Sequence, residues 1–270
     1  MQQNMNTLHG WSTMAHLPIS FGKCHQLIIE SKRKHITAPT IEMGGHKLPT
    51  VNYVSDLGVT VDNKLSFKHH ISRITTKAYQ TSGLIFKCFQ SRKTKNLVRA
   101  YTTYVRPQLE YCSPVWSPHL QSHIKLIEKV QRKFTKRLPG LYNMPYSDRL
   151  KKCGLESLEL RRLRNDLTLM YKILFGLTCL PADNYFKLSP CNDTSRGHQY
   201  KLIIPICRLD SFKHSFLTGI YLSGTVCQWI LTFPLCLTSN AVYPLSISIN
   251  SVFNLSSSRS AFPLILTVVH

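Results

Sequence analysis

Apolar residues recur at intervals of three and four along much of this chain, and at intervals of two only near its start. At 100° per residue, Leu120, Leu126, Ile127, Val130, Phe134 and Leu138 share one side of a helix predicted from Pro118 to Leu138. Ser117 is its predicted N-cap, Pro118 its first residue and Pro139-Gly140 its stop. A shorter helix ahead of it should close at Pro107, because proline lacks a backbone donor and crowds the preceding turn. A second stripe, Phe67, Ile71, Ile74, Ala78, Ile85 and Phe89, reads as core. A third, Leu160, Leu163, Leu167, Met170 and Leu174, predicts a helix ending at Gly176. Nearer the start, a helix should carry Met5, Leu8 and Trp11, and Gln26 to Ile29 should form a strand. Residues 41 to 61 read as a hairpin turning at Gly44-Gly45, with Gly58 a bulge or a close backbone approach. Val51, Tyr53, Leu57, Val59 and Val61 are its strand-type side chains. The fold class is α+β: a small N-terminal β-hairpin layer followed by a mostly helical bundle.

The polar faces change the picture. Lys125, Lys129, Arg132, Lys133 and Lys136 gather opposite the apolar side of the 118–138 helix, whose only acid is Glu128. Arg161, Arg164 and Lys172 lie opposite the third stripe. Such faces are either solvated surface or a track for phosphates, and the charge of the whole chain favours the second. The formal net charge is +21, every one of the 13 acids lies at or before Asp210, and Arg259 is the sole Lys or Arg beyond Lys213. A compact body with that excess repels itself, so a polyanionic partner follows: nucleic acid first, an anionic membrane surface second.

Nine cysteines form no C-x-x-C or other close pair, which argues against a zinc site and against a secreted disulfide framework. His69 and His70 are adjacent and point apart, without metal-ligand spacing. No metal site and no small-molecule substrate are expected. Tyr101, Tyr104, Tyr111 and Trp116 cluster around the Pro107 elbow, either stacking on bases or packing a helical corner. Met1 to Gly10 is polar and lacks the apolar segment of a signal peptide, so an intracellular setting, nucleus or cytoplasm, is expected.

Several blocks, in order, resemble one family. VSDLGVTVDNKLSFKHHI, AYTTYVRPQLEYCSPVWSPHL, IEKVQRKFTKRLPGL and CGLESLELRRLRNDLTLMYKIL are similar to non-LTR retrotransposon reverse transcriptases of the jockey-like and chicken-repeat-like branches, over about residues 1 to 214. The resemblance implies the end of a polymerase palm, residues 1–63, and a helical thumb-like domain, residues 64–177, then a loop-rich connection over 178–214. In such enzymes palm aspartates hold two metal ions for phosphoryl transfer. The family's Ala-Asp-Asp motif would fall upstream of residue 1, and no two acids are adjacent in this chain. A truncated RNA-directed DNA polymerase is therefore implied, binding template and primer without the chemical step, with Mg²⁺ a cofactor of the full-length enzyme only. LPISFGKC resembles the late palm motif whose lysine assists the leaving pyrophosphate, which gives that role to Lys23. SDLGV matches the primer-grip hairpin and places Leu57, Gly58 and Val59 against the primer. The basic helices, with Lys125, Lys129, Arg132, Lys133, Lys136, Arg161, Arg164 and Lys172, would track an RNA–DNA duplex backbone.

Residues 215–270 diverge in character, and an irregular or disordered tail is expected there. The resemblance continues through RGHQYKL and CRLDSFKHSF and then stops. Two accounts stay open: a frameshift beyond about residue 216, or a membrane span at 216–237, about the length a bilayer needs. The second account goes with an alternative function, a basic structural or membrane-associated protein with a C-terminal apolar anchor. Serine-rich residues 246 to 260 read as disordered, and Pro263 to Val269 as apolar but short.

Overall fold

A glycine pair and positive backbone angles shape the first part of the chain. The computed structural model describes residues 2–29, 40–187, 202–203 and 264–268. They fall in two compact units, Met1–His70 with Val242–His270 and Ile71–Ala241. In the first, helix α1 (Gln2–Met14) buries Met5 among Cys24, Ile41, Met43 and Leu48. The side chain of its first residue, Gln2, donates to the Glu42 carbonyl (2.6 Å) and accepts from the Glu42 amide (3.1 Å). A 3₁₀ turn (Phe21–Lys23) leads to β1 (His25–Ile29). The expected hairpin over 41–61 is in fact two. The first joins β2 (Glu42–Met43) to β3 (His46–Lys47) through Gly44 and Gly45 at φ +58° and +77°. After β4 (Thr50–Val51), the second joins β5 (Tyr53–Asp56) to β6 (Val59–Asp62), with Asp56 opposite Val59. Gly58 is neither a bulge nor a strand residue. It is the second of two turn residues, at φ +84° after Leu57 at φ +44°. Both positive angles are those of a type I′ turn, whose twist suits the paired strands.

Strand β1 pairs in parallel with β4 and antiparallel with β7 (Leu264–Val268), from His25 opposite Val268 to Ile29 opposite Leu264. The expectation of an irregular or disordered tail therefore fails at 264–268. That apolar, strand-prone run supplies the backbone partners that one edge of β1 needs. The proposed span at 216–237 lies outside the described residues, as does the serine-rich stretch; among the described residues no helix is long and apolar enough to cross a membrane.

The second unit is helical. Helix α2 (Lys68–Cys88) starts at the end of the first unit, and its stripe from Ile71 through Ile74, Ala78 and Ile85 is buried as predicted. Phe67, at φ +51°, precedes the helix, and Phe89 follows it. Then come α3 (Thr94–Ala100), a π-helical turn (Tyr101–Val105), α4 (Arg106–Glu110) and α5 (Ser113–Trp116). Pro107 does not close a helix. The widened π turn precedes it and Pro107 sits in the first turn of α4, where its missing N–H is not needed. Helix α6 (Gln121–Lys136) begins three residues later than predicted. Ser117 does not cap it, because its amide closes α5 on the Ser113 carbonyl (2.8 Å) and Pro118 holds it extended. Leu120 takes the N-cap place, and it and Leu126 are exposed rather than core.

Helix α7 (Tyr146–Cys153) ends at Gly154, in the left-handed conformation at φ +62°. Helix α8 (Leu158–Leu174) starts on Ser157, whose hydroxyl accepts from the Leu160 amide (3.2 Å). Its buried side carries Leu158, Arg162, Leu167, Met170 and Ile173, so Leu160 of the predicted stripe lies outside it. Tyr101 and Trp116 at the elbow pack inside, while Tyr104 and Tyr111 are exposed.

Leu57 marks a local conflict, since a non-glycine residue at positive φ costs about 1 kcal/mol that asparagine largely avoids. Leu57→Asn is expected to stabilise the protein by about 0.5–1 kcal/mol, read by chemical denaturation. An unchanged or lowered midpoint would mean that the leucine side chain contributes more than its backbone angle costs.

Candidate nucleic-acid interface

Helix α6 divides into two faces. Ile127, Val130, Phe134 and, just past its end, Leu138 are buried. Lys125, Lys129, Arg132, Lys133 and Lys136 are all exposed, and so is Arg137. Glu128, the one acid of the helix, turns inward and is 7% exposed. The outward face thus carries cations alone. Three of them lie over aromatic rings: the Arg132 guanidinium 4.5 Å from the centre of Tyr146, Lys133 Nζ 5.2 Å from Tyr79 and Lys136 Nζ 4.7 Å from Tyr142. Arg137 lies 4.2 Å over Phe86. Each such contact holds a flexible cation in place at little cost in charge.

Polar groups beneath that face set its orientation. Glu128 accepts from the Tyr146 hydroxyl and, at 3.0 Å, from the Leu158 amide at the start of α8. Gln131, fully buried, accepts from Tyr101 Oη (2.9 Å) and donates to Tyr146 Oη (3.0 Å) and the Glu156 carbonyl (2.8 Å). Arg149 of α7, also buried, donates to the Arg132 carbonyl (3.1 Å). Burial, and then the bond to Glu128, push the Tyr146 phenol well above the usual tyrosine range. Burial does the same to Tyr101.

The cations of α8 are placed differently. Arg161 makes a two-pronged contact with Glu110 through Nε and Nη2, and its Nη1 lies 3.6 Å from Glu156. Arg164 contacts both oxygens of Glu156, at 3.1 and 2.7 Å. Arg106 adds a weaker contact to Glu110 at 3.9 Å. The result is an alternating chain of three arginines and two glutamates, drawing α4, α8 and the loop before α8 together. Lys172 is half-buried farther along α8. Buried Arg162 is held below its usual range by desolvation. Asp166, one turn on, is pushed up by burial to about 7, with Arg162 opposing the shift.

In the first unit, Lys23 is exposed at the end of the 3₁₀ turn. Leu57 and Gly58 are exposed at the turn tip, while Val59 points inward at 6% exposure. His70 is buried, its Nδ1 accepting from the Thr60 amide (3.2 Å), and His69 stacks on Tyr53. Among the described residues, no three His, Cys, Asp or Glu side chains gather as a metal site would require. The periodicity that identified the basic face of α6 did not reveal Tyr79, Tyr142 and Tyr146 beneath its cations, because they come from α2, a loop and α7. The inward aim of Glu128 was legible in principle, since it neighbours Ile127 and lies about one turn from Ile124 and Gln131.

No family model matches the chain, and no solved structure does. Among curated proteins it is 29% identical over 133 residues to an uncharacterized protein of Caenorhabditis elegans, covering 48% of this chain and 67% of that one. It is 26% identical over 133 residues to a probable RNA-directed DNA polymerase from transposon X-element of Drosophila melanogaster, covering 48% of this chain and 14% of the polymerase. It is 22% identical over 144 residues to the RNA-directed DNA polymerase from mobile element jockey of Drosophila funebris, covering 52% of this chain and 15% of the polymerase. The chain therefore has a partial, distant relationship to mobile-element polymerases, with about half of it matching about one seventh of each.

Two outcomes follow from the buried groups. Glu128→Ala is expected to cost about 2–4 kcal/mol in urea denaturation, because it strands the Tyr146 hydroxyl and the Leu158 amide. Glu128→Gln, still able to accept, should cost less. For Asp166 the folded pKa of about 7 lies above the unfolded value of about 3.9. Stability from this group is thus complete below pH 4 and is lost as pH rises toward 7. Asp166→Asn should match the parent near pH 4 and exceed it by about 1–3 kcal/mol at pH 7.5. Parallel stability profiles for the two proteins would show that Asp166 ionises freely in the fold.

Proposed function

We propose that this chain is a portion of a mobile-element RNA-directed DNA polymerase whose helical unit holds the backbone of nucleic acid. One observation carries the reading: α6 turns five lysines and arginines outward and its single acid inward. Like charges spaced at i, i+4 destabilise a helix by about 0.2–0.5 kcal/mol per pair. Lys125, Lys129 and Lys133 keep that spacing, as do Arg132 and Lys136, a repulsion that the rings beneath three of them offset only in part and that a polyanion would relieve. Phosphate contacts carry no sequence information, so such a face suits a template–primer duplex that slides during synthesis. Partial likeness to two polymerases supports the choice of nucleic acid over other polyanions.

Within this reading Arg161 and Arg164 serve the fold first, since Glu110 and Glu156 already meet their charge. Lys172 stands at the margin of the surface. In the first unit, the exposed Leu57 and Gly58 at the turn tip would support a primer end, with Val59 anchoring the turn from below. Lys23 would assist the leaving group in a complete enzyme. We assign no chemical step to this chain alone. In-line phosphoryl transfer uses metal ions held by clustered carboxylates, and the chain has no adjacent acids to hold them. Mg²⁺ chemistry belongs to the rest of the polymerase, and an intracellular setting goes with it.

The test is fluorescence anisotropy with a labelled RNA–DNA duplex. Lys125→Glu, Lys129→Glu, Lys133→Glu and Lys136→Glu together should weaken binding at least tenfold, equally for every sequence tried. Far-ultraviolet circular dichroism of the same variant should show that α6 is still formed, since glutamate keeps a helix propensity close to that of lysine. Unchanged affinity would remove α6 from the surface and overturn the reading. Displacement from anionic vesicles by the duplex is a second expectation, and failure to displace would favour a lipid partner.

A further inference from the structure

The sheet of the first unit is completed from the far end of the sequence. Gln26, Leu27 and Ile28 of β1 are all buried. On one side β1 meets β4 over two residues, Gln26 opposite Thr50 and Leu27 opposite Val51, and Gln26 donates its amide to the Pro49 carbonyl (2.9 Å). Amides alternate in direction along a strand, so those of Leu27 and Ile29 point to the other side. There β7 pairs along the whole of β1, with Leu27 opposite Leu266. Because Leu27 turns its backbone groups that way, these two residues exchange both ladder bonds. Sheet completion thus rests more on β7 than on β4, and the β7 run contains no charge, glycine or proline.

Strand β7 stands apart from the rest of its unit in two ways. The stretches shared with the two polymerases are 133 and 144 residues long, and His25 is farther in sequence from its partner Val268 than either length. At most one of the two strands therefore belongs to the shared part. The long connection also lowers the effective concentration of β7 at β1, which falls roughly as the −3/2 power of connection length. A strand edge binds through its main chain and admits an extended apolar segment that fits its register. We propose that this edge of β1 is a docking seam for an apolar, antiparallel strand supplied in trans, and that β7 keeps the seam covered. The source of that strand rests on the proposed function: the shared stretch is about one seventh of each polymerase, and the strand belongs to the remainder.

Amide exchange and peptide binding test the seam in the whole chain. Leu266→Pro removes the amide that bonds to Leu27. In that variant the Leu27 and Ile29 amides should exchange with deuterium about tenfold faster than in the parent, or more. A labelled synthetic peptide of residues 262–270, in excess, should slow their exchange about fivefold, and the same peptide carrying Leu266→Pro should not. The parent, its seam covered, should bind the peptide about tenfold more weakly than the variant does. Unchanged exchange in the variant, or equal peptide binding by the two proteins, would show that β7 does not cover the edge. A peptide that restores no protection, even to a first unit loosened as a whole, would show that the edge takes no strand in trans. Each of these results overturns the proposal. Anisotropy with the labelled RNA–DNA duplex separates it from the proposed function. A parent that ignores the duplex removes the polymerase as the source of the strand, whereas a variant that binds duplex like the parent and takes no peptide removes the seam alone.

Discussion

A buried carboxylate holds the helical unit in register. Taking Glu128 out of water costs several kcal/mol unless its oxygens are hydrogen-bonded. One oxygen receives the Tyr146 hydroxyl and the other the Leu158 amide, at the end of α8 where the helix dipole is positive. Three residues on, Gln131 extends the polar strip to Tyr101, Tyr146 and the Glu156 carbonyl. These partners fix α6 about its own axis. Turning it by one position would expose Glu128 and drive lysines into the apolar contacts of Phe134 with Tyr101 and Phe86.

That orientation gives α6 an outward face of one sign. The repulsion it creates is partly offset where aromatic rings lie beneath the charges. Tyr146 takes part on both sides of the division. Its hydroxyl belongs to the buried network, and its ring lies under the guanidiniums of Arg132 and Arg149. The arginines of α8 have the same chemistry but another setting, since Glu110 of α4 and Glu156 of the loop just before α8 meet them. Basic residues on two predicted helix faces thus have different electrostatic settings: among the described residues those of α6 meet no carboxylate, while Arg161 and Arg164 of α8 are held by glutamates.

The first unit depends instead on backbone conformation. Gly44 and Gly45 permit one tight turn, and a Cβ on Gly44 would come within 2.6 Å of the His9 ring, so glycine is required there for space as well as for angle. Leu65 and Phe67 also hold positive φ, in the connection from β6 to α2. Asp62 over-determines that connection by accepting from the amides of Lys64 and Ser66 and from the Ser66 hydroxyl. Strain at these positions is local, and hydrogen bonds to a single carboxylate hold it.

The sequence by itself determined the mixed α+β class, the first strand, the glycine turn at residues 44–45, the buried stripe of α2 and the two faces of α6. All of these rest on periodicity or turn chemistry within a few residues. It could not determine how Pro107 is accommodated, because a π turn upstream removes the clash that would have ended a helix. Nor could it place α8 correctly about its axis: Arg162 is buried and Leu160 exposed because neighbouring helices decide which side of an ambiguous stripe is covered. Whether a cation stays available is settled by carboxylates and rings from elsewhere in the chain. That is why α6 and α8, alike in pattern, were separated only by tertiary structure.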